Sequence, residues 1–289
     1  MKIVVTGARG FIGKNLCEYF APNHEVIPLS HSDVDFTDCP ALTNLFKKLK
    51  PDAVLHTAAK PGHRKAVDKE NLTFINLLIF ASVTKAAKDA GVKKFVHYGS
   101  GSEYDMMTRS LSNITEDEFG EVIPRDETGF PRYVETRMMK EDNYGYNLRC
   151  FGVYGKYEDY TMRFISNAIC KALFDLPLEI RQDKSFSYVD VADLCRITER
   201  VITEDVPFGD YNAVPPFTLT MQEIAKAVIE KTASKSELTG LGTGYDYTAS
   251  NKKLLSALGD FTFTPFETSL TNLISYYTSI KEKINEKEL

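Results

Sequence analysis

The chain has 289 residues, 43% of them hydrophobic and 26% charged, with a formal net charge of −5. That is enough chain for one large or two modest domains with an ample core. The acidic balance argues against a nucleic-acid partner, no basic run marks a membrane surface, and no apolar stretch approaches the roughly 20 residues of a membrane span. The 5 cysteines (Cys17, Cys39, Cys150, Cys170 and Cys195) are odd in number, scattered, and lack any Cys-x-x-Cys pair. Free buried thiols in a reducing cytoplasm fit that pattern better than disulfides or a zinc site. The beginning of the chain reads as a core strand rather than a signal peptide.

Lys2–Val5 is that strand, and it runs straight into Gly7-Ala8-Arg9-Gly10-Phe11-Ile12-Gly13. A helical pattern through Leu16, Tyr19 and Phe20 follows. Gly7 permits a turn that strains any residue with a Cβ, Gly10 lets a pyrophosphate approach the backbone, and Gly13 lets helix and strand pack closely. The helix N-terminus then presents free N–H groups to the phosphates, so the unit predicts dinucleotide binding. His24–Leu29 reads as the second strand. Ser30, His31 and Ser32 stand at its end, where an acid would select NAD by its ribose hydroxyls. None of the three repels a 2′-phosphate, all can donate to one, and Arg9 adds a cation, so the pattern favours NADP(H), with NAD(H) as the alternative.

Asp33–Asp38 is expected to be a short third strand and its exit, with Asp35 placed to accept from an adenine amino group. Asp38 doubles as an N-cap for a helix over 40–50. Pro51–Ala59 is a strand ending in the small residues Thr57, Ala58 and Ala59, which suit a chain passing under a cofactor. A helix over 71–90 closed by Gly91 and a strand over 94–98 follow. This alternation predicts an α/β fold with a doubly wound parallel sheet of Rossmann type.

The pattern resembles the extended short-chain dehydrogenase/reductase family, the nucleotide-sugar epimerases, dehydratases and reductases. The resemblance runs over nearly the whole chain. It rests on the Thr6–Gly13 loop, His56-Thr57-Ala58-Ala59, the stretch from Tyr98 to Tyr104, the stretch from Arg149 to Gly155, Phe186–Asp190 and the tail 254–265. It implies a dinucleotide-binding domain over 1–155, with 187–213 returning to it, and a small C-terminal substrate-binding α/β subdomain formed by 156–186 and 214–289. It also implies cofactor contacts from Phe11, Ile12, Phe36, Thr57, Ala58, Ala59 and Asn76.

In that family a Ser or Thr, a Tyr, and a Lys four residues past the Tyr do the chemistry. Carried over, these are Ser100, Tyr133 and, in place of the lysine, Arg137. Tyr and residue i+4 share a helix face. A guanidinium can bias a phenol toward ionisation but cannot replicate an ammonium on the ribose. In relatives, this helix and the one before strand 94–98 build a homodimer bundle. Here Glu141–Gly145 ends the helix early, which puts that interface in doubt. A cation before Phe186 is implied to grip the substrate diphosphate, a place Lys184 holds with Arg181 nearby, while Gly152 replaces the usual Asn.

Further along, helices are expected over 162–173, 191–203, 220–232 and 267–281, with strands at 178–180 and 209–214. Thr220 with Glu223 forms a capping box. Gly240–Gly244 is a loop that could rim the cleft, and 282–289 a frayed end. The resemblance together with the NADP-like strand end implies a cytoplasmic NADP(H)-dependent reductase of a nucleotide-activated, 6-deoxy keto sugar. Its rivals are an NAD-dependent 4-epimerase and a catalytically silent dinucleotide-binding protein that Arg137 keeps in play.

Overall fold

The structure is a computed structural model, and it describes residues 1–62, 70–240 and 242–289. From the N-terminus, β1 (Lys2–Thr6) leads through the glycine turn into α1 (Phe11–Phe20), followed by β2 (Glu25–Leu29) and α2 (Cys39–Leu49). Then come β3 (Ala53–His56), α3 (Leu72–Asp89), β4 (Lys94–Ser100), β5 (Leu111–Ile114), α4 (Gly129–Asp142), β6 (Tyr146–Cys150) and β7 (Gly152–Tyr154). The chain continues with α5 (Phe164–Leu173), β8 (Leu178–Ile180), β9 (Ser185–Phe186), β10 (Tyr188–Asp190), α6 (Val191–Thr203) and β11 (Gly209–Asn212). It closes with β12 (Leu219–Thr220), α7 (Met221–Thr232), β13 (Leu238–Gly240), β14 (Tyr247–Ala249), α8 (Lys252–Leu258) and α9 (Phe266–Ser279).

Among the described residues, six strands form one parallel sheet in the order β11-β6-β4-β3-β1-β2. It is buried on both faces, as the continuous apolar runs Ile3-Val4-Val5 and Ala53-Val54-Leu55 require. One face packs α1, α6 and α8 through Leu16, Leu194 and Leu254; the other packs α2, α3 and α4 through Phe46, Phe80 and Met139. A separate apolar cluster joins α5, α7 and α9. A four-stranded sheet in the order β12-β9-β14-β5 brings the C-terminal segment back against the end of β4.

Two expectations are corrected. Residues 33–38 form no strand, which leaves β2 at the sheet edge. The aspartates of that stretch satisfy their own backbone instead: Ser30 N donates to Asp33 and Thr37 N to Asp35, both at 2.8 Å. Nor is 282–289 frayed, because two 3₁₀ turns fold it back and Ile284 is buried against the α5, α7 and α9 cluster. Elsewhere the helices begin and end within a few residues of expectation, Asp38 caps α2, and Thr220 with Glu223 makes its capping box. In the expected rim loop, Leu241 lies outside the described residues.

A charged hub sits beneath the ends of β4, β6 and β11. Arg149 on β6 is 0% exposed; its Nε donates to Glu103 at 2.6 Å, and its Nη1 pairs with Asp210 on β11. Thr136 of α4 donates to the same Glu103 at 2.7 Å. Burial would raise the Asp210 carboxyl, but Arg149 and two lysines hold it down, to about 2. Arg149→Met leaves Glu103 buried without its guanidinium and Asp210 with only its two lysines, so urea denaturation should read a loss of about 3–5 kcal/mol. A depressed carboxyl contributes stability above its ordinary pKa, and that contribution goes as pH falls toward about 2. The wild type should therefore lose stability over that acid range, and Arg149→Met should lose less of it.

Candidate functional site

The cleft opens at the C-terminal ends of β1, β2, β3 and β4. Gly7, at φ 69°, turns the chain where a Cβ would lie 2.7 Å from Ala58 N, and a Cβ on Gly13 would collide with the Gly7 carbonyl oxygen. Only glycine fits at either place. At Gly10 nothing but the Gly7 oxygen comes near, at 3.2 Å, so the backbone there stays open to a ligand.

Two neighbouring cavities share Gly10, Thr57, Ala58, Ala59, Lys60 and Pro61. The first, of about 550 Å³, extends over Gly7, Arg9, Ser30, His31, Asp35 and Phe36, with Ile75 and Ile79 from α3. The second, of about 590 Å³, extends over Phe11, Ile12, Gly13, His56, Asn76 and Tyr98, and is bounded by Glu127, Thr128, Pro131 and Arg132 at the start of α4 and by Arg163. Together they form one trough, with Arg9 and His31 at one end and Arg132 and Arg163 at the other. It brings together every residue expected to contact the cofactor.

The chemistry at the first end differs from expectation in detail. Ser30 N and Oγ both donate to Asp33 Oδ2, at 2.8 and 2.6 Å, so the one proton of this hydroxyl is committed. Those bonds hold the Asp33 carboxyl below its usual range, with Arg9 and His31 adding to the effect. Arg9 and His31 remain as the donors facing the trough. Asp35 is likewise engaged, accepting from Thr37 N and Oγ1 at 2.8 Å each. Asn76 holds the segment under the trough through the backbone N of Lys60 at 2.7 Å.

The three candidate catalytic residues do not converge. Ser100 is half-buried at the end of β4; its Oγ accepts from Ser102 Oγ at 2.9 Å and lies 3.5 Å from the Tyr247 hydroxyl of β14. Like Ser100 and Tyr247, Tyr133 lines neither cavity. Its ring stacks on Phe119 at 4.9 Å, and Phe119 in turn covers the Arg149 guanidinium at 4.7 Å. Arg137 is 54% exposed and pairs with Glu141 at 3.6 Å. The reason is rotational. Glu135, Thr136 and Met139 face the sheet, which puts Arg132 at the trough and Tyr133 about 100° further round the helix.

Arg132, Arg163, Thr128 and His56 were not singled out from sequence. A signal existed for Arg132, because Glu135 stands three residues on, the spacing of a helical ion pair. Further along the chain, Lys184 stacks over Phe186 at 5.0 Å, and burial lowers its pKa. It lines a third cavity of about 580 Å³ with Gln182, Met106 and Tyr245. Arg181 is 80% exposed, pairs with Glu179 at 3.4 Å and lines none of these cavities. Gly152 sits on β7 against the Tyr188 ring. Among the described residues, no group of His, Cys, Asp or Glu could hold a metal, and no helix is long and apolar enough to cross a membrane.

Residues 3–213 match the model of the NAD dependent epimerase/dehydratase family, and the chain belongs to that family of oxidoreductase enzymes. A Drosophila melanogaster protein named "Probable GDP-L-fucose synthase" is 26% identical, over 96% of this chain and 97% of its own. Two solved structures share the fold. One is the Thermus thermophilus UDP-glucose 4-epimerase in complex with NAD, with a TM-score of 0.80 at 20% identity over 96% of this chain and 99% of that one. The other is the Campylobacter jejuni GDP-mannoheptose C4 reductase with NADP bound, with a TM-score of 0.81 at 18% identity over 96% and 98%.

Gly13→Ala should abolish dinucleotide uptake and lower the melting temperature by several degrees, because its Cβ meets backbone rather than a movable side chain. Nucleotide fluorescence titration and calorimetry check both. Unchanged binding would mean that the turn is not the phosphate cradle.

Proposed function

We propose that the chain is an NADP(H)-dependent reductase of a nucleotide-activated keto sugar, of the 4-keto-6-deoxy type. The observation that carries this reading is the single trough running from Arg9 and His31, past the glycine turn, to Tyr98, Thr128 and Arg132. The Cβ-free cradle at Gly7, Gly10 and Gly13 fits a dinucleotide diphosphate, and Arg9 and His31 would meet a 2′-phosphate. The bound nicotinamide would supply the hydride. Ser100 would donate to the substrate carbonyl oxygen, and Lys184 would meet the substrate diphosphate. The full-length similarity to a protein named as a GDP-L-fucose synthase supports a reductase over an epimerase.

Two phenols compete for proton supply. Tyr133 has the family spacing but stacks on Phe119, whereas the Tyr247 oxygen reaches Ser100. We assign the role to Tyr247. Its hydroxyl lies 3.5 Å from Ser100 Oγ and would pass a proton on through Ser100, and burial, which raises the phenol's pKa, sets a cost on that step. Tyr247→Phe should then cost about 10²–10⁴-fold in turnover, the usual worth of a general acid. Tyr133→Phe and Arg137→Lys should leave turnover close to wild type, because neither side chain lines the trough. A large loss in Tyr133→Phe alone would return the acid role to that residue.

A second reading, a dinucleotide-binding protein without turnover, is favoured by the placement of Tyr133 and Arg137 off the trough. Comparative binding decides among the readings. At a hundred times its dissociation constant a ligand adds about 2.7 kcal/mol of stability, which thermal shift resolves. We expect NADPH to bind at least tenfold tighter than NADH, and Arg9→Ala to remove most of that preference. Binding with no turnover on any ketosugar nucleotide would support the second reading, and co-purifying NAD would support an epimerase.

A further inference from the structure

The α4 end of the trough carries a feature that the reductase reading leaves unused. Arg132 and Arg163 line the same cavity from two different elements, Arg132 on α4 and Arg163 immediately before α5. Arg132 is fixed from below: its Nη1 donates to Glu135 Oε2 at 2.8 Å. Glu135 is 1% exposed and has His97 Nε2 at 3.1 Å, off the ring's N–H direction. Burial alone would raise the Glu135 carboxyl, but Arg132 and His97 beside it hold it below its ordinary range, so the carboxylate stays charged. That bond takes one Nη of Arg132 and anchors its guanidinium at the cavity wall. Two guanidiniums on the wall of one cavity offer planar donors of the kind that bind phosphate or carboxylate oxygens.

We propose that Arg132 and Arg163 form an anion clamp at the α4 end of the cleft, with Glu135 as the residue that positions Arg132. The proposal rests on the dinucleotide reading above and adds a second point of phosphate recognition to it. Its ligand chemistry is a diphosphate oxygen, brought either by the dinucleotide or by the sugar nucleotide. The clamp also replaces, from a different helix face, the positive charge that Arg137 does not bring to the trough.

The test titrates wild type, Arg132→Met, Arg163→Met, Arg132→Lys and Glu135→Gln with NADPH. The NADPH-saturated proteins are then titrated with GDP, UDP and dTDP. Losing a charge-assisted hydrogen-bonded contact should weaken the clamped ligand about 10- to 100-fold. If the clamp holds the dinucleotide, both methionine variants lose NADPH affinity. If it holds the substrate, NADPH affinity stands and the affinity for a nucleoside diphosphate falls. Glu135→Gln should follow Arg132→Met in affinity, and Arg132→Lys should recover only part of it, since an ammonium lacks the fork. Should Glu135→Gln unfold, the two methionine variants and Arg132→Lys still decide. Wild-type binding of NADPH with every variant unchanged for every probe overturns the clamp alone; a wild type that binds none of the probes overturns the clamp and the reductase reading together.

Discussion

Arg149 is a permanently charged side chain with no access to water, and neutralising it shapes everything packed over the strand ends. An isolated buried guanidinium is untenable, so the chain around it must deliver carboxylates and π-faces. Glu103 comes from the turn after β4 and Asp210 from β11, while Tyr104 and Phe119 cover the guanidinium at 5.1 and 4.7 Å. Thr136 is drawn to Glu103, and Tyr133 stacks on the outer face of Phe119. These contacts clamp the rotation of α4 about its own axis. Arg132 is turned into the cleft and Tyr133 out of it as a consequence of a charge that neither residue touches directly.

The parts of the architecture that depend on local chemistry were legible in the sequence. Gly7 and Gly13 are backbone constraints, and a strand before them with a helix after leaves little freedom. The parallel sheet follows from unbroken apolar runs separated by helical periods. What failed to be legible was set at longer range. The alternation of Val34 and Phe36 imitates a strand, but Asp33 and Asp35 beside them accept from the backbone N–H groups of Ser30 and Thr37, and that local competition wins. The spacing of Tyr133 and Arg137 fixes their relation to each other and says nothing about the helix's rotation, which residues 103, 119 and 149 decide. Likewise Ile284 lies among charged neighbours in sequence and is buried only because α5, α7 and α9 leave an apolar seat for it.

The same distinction applies to cofactor choice. Ser30 looks like a donor in sequence because any serine is one. In the fold its single proton belongs to Asp33, which brings a carboxylate close to the strand end while Arg9 and His31 line the trough.

The Tyr247 hydroxyl beside Ser100 has a consequence for how this fold can be recombined. Tyr247 arrives on β14, some thirty residues beyond the stretch that matches the family model, and is held there by pairing with β5 and β9. The surroundings of Ser100 are therefore a seam between two parts of the chain. A chimera that joins this dinucleotide-binding half to a relative's C-terminal segment would exchange the neighbour of Ser100 along with the substrate pocket. Substrate range and proton handling would be inherited together, as one transplantable unit.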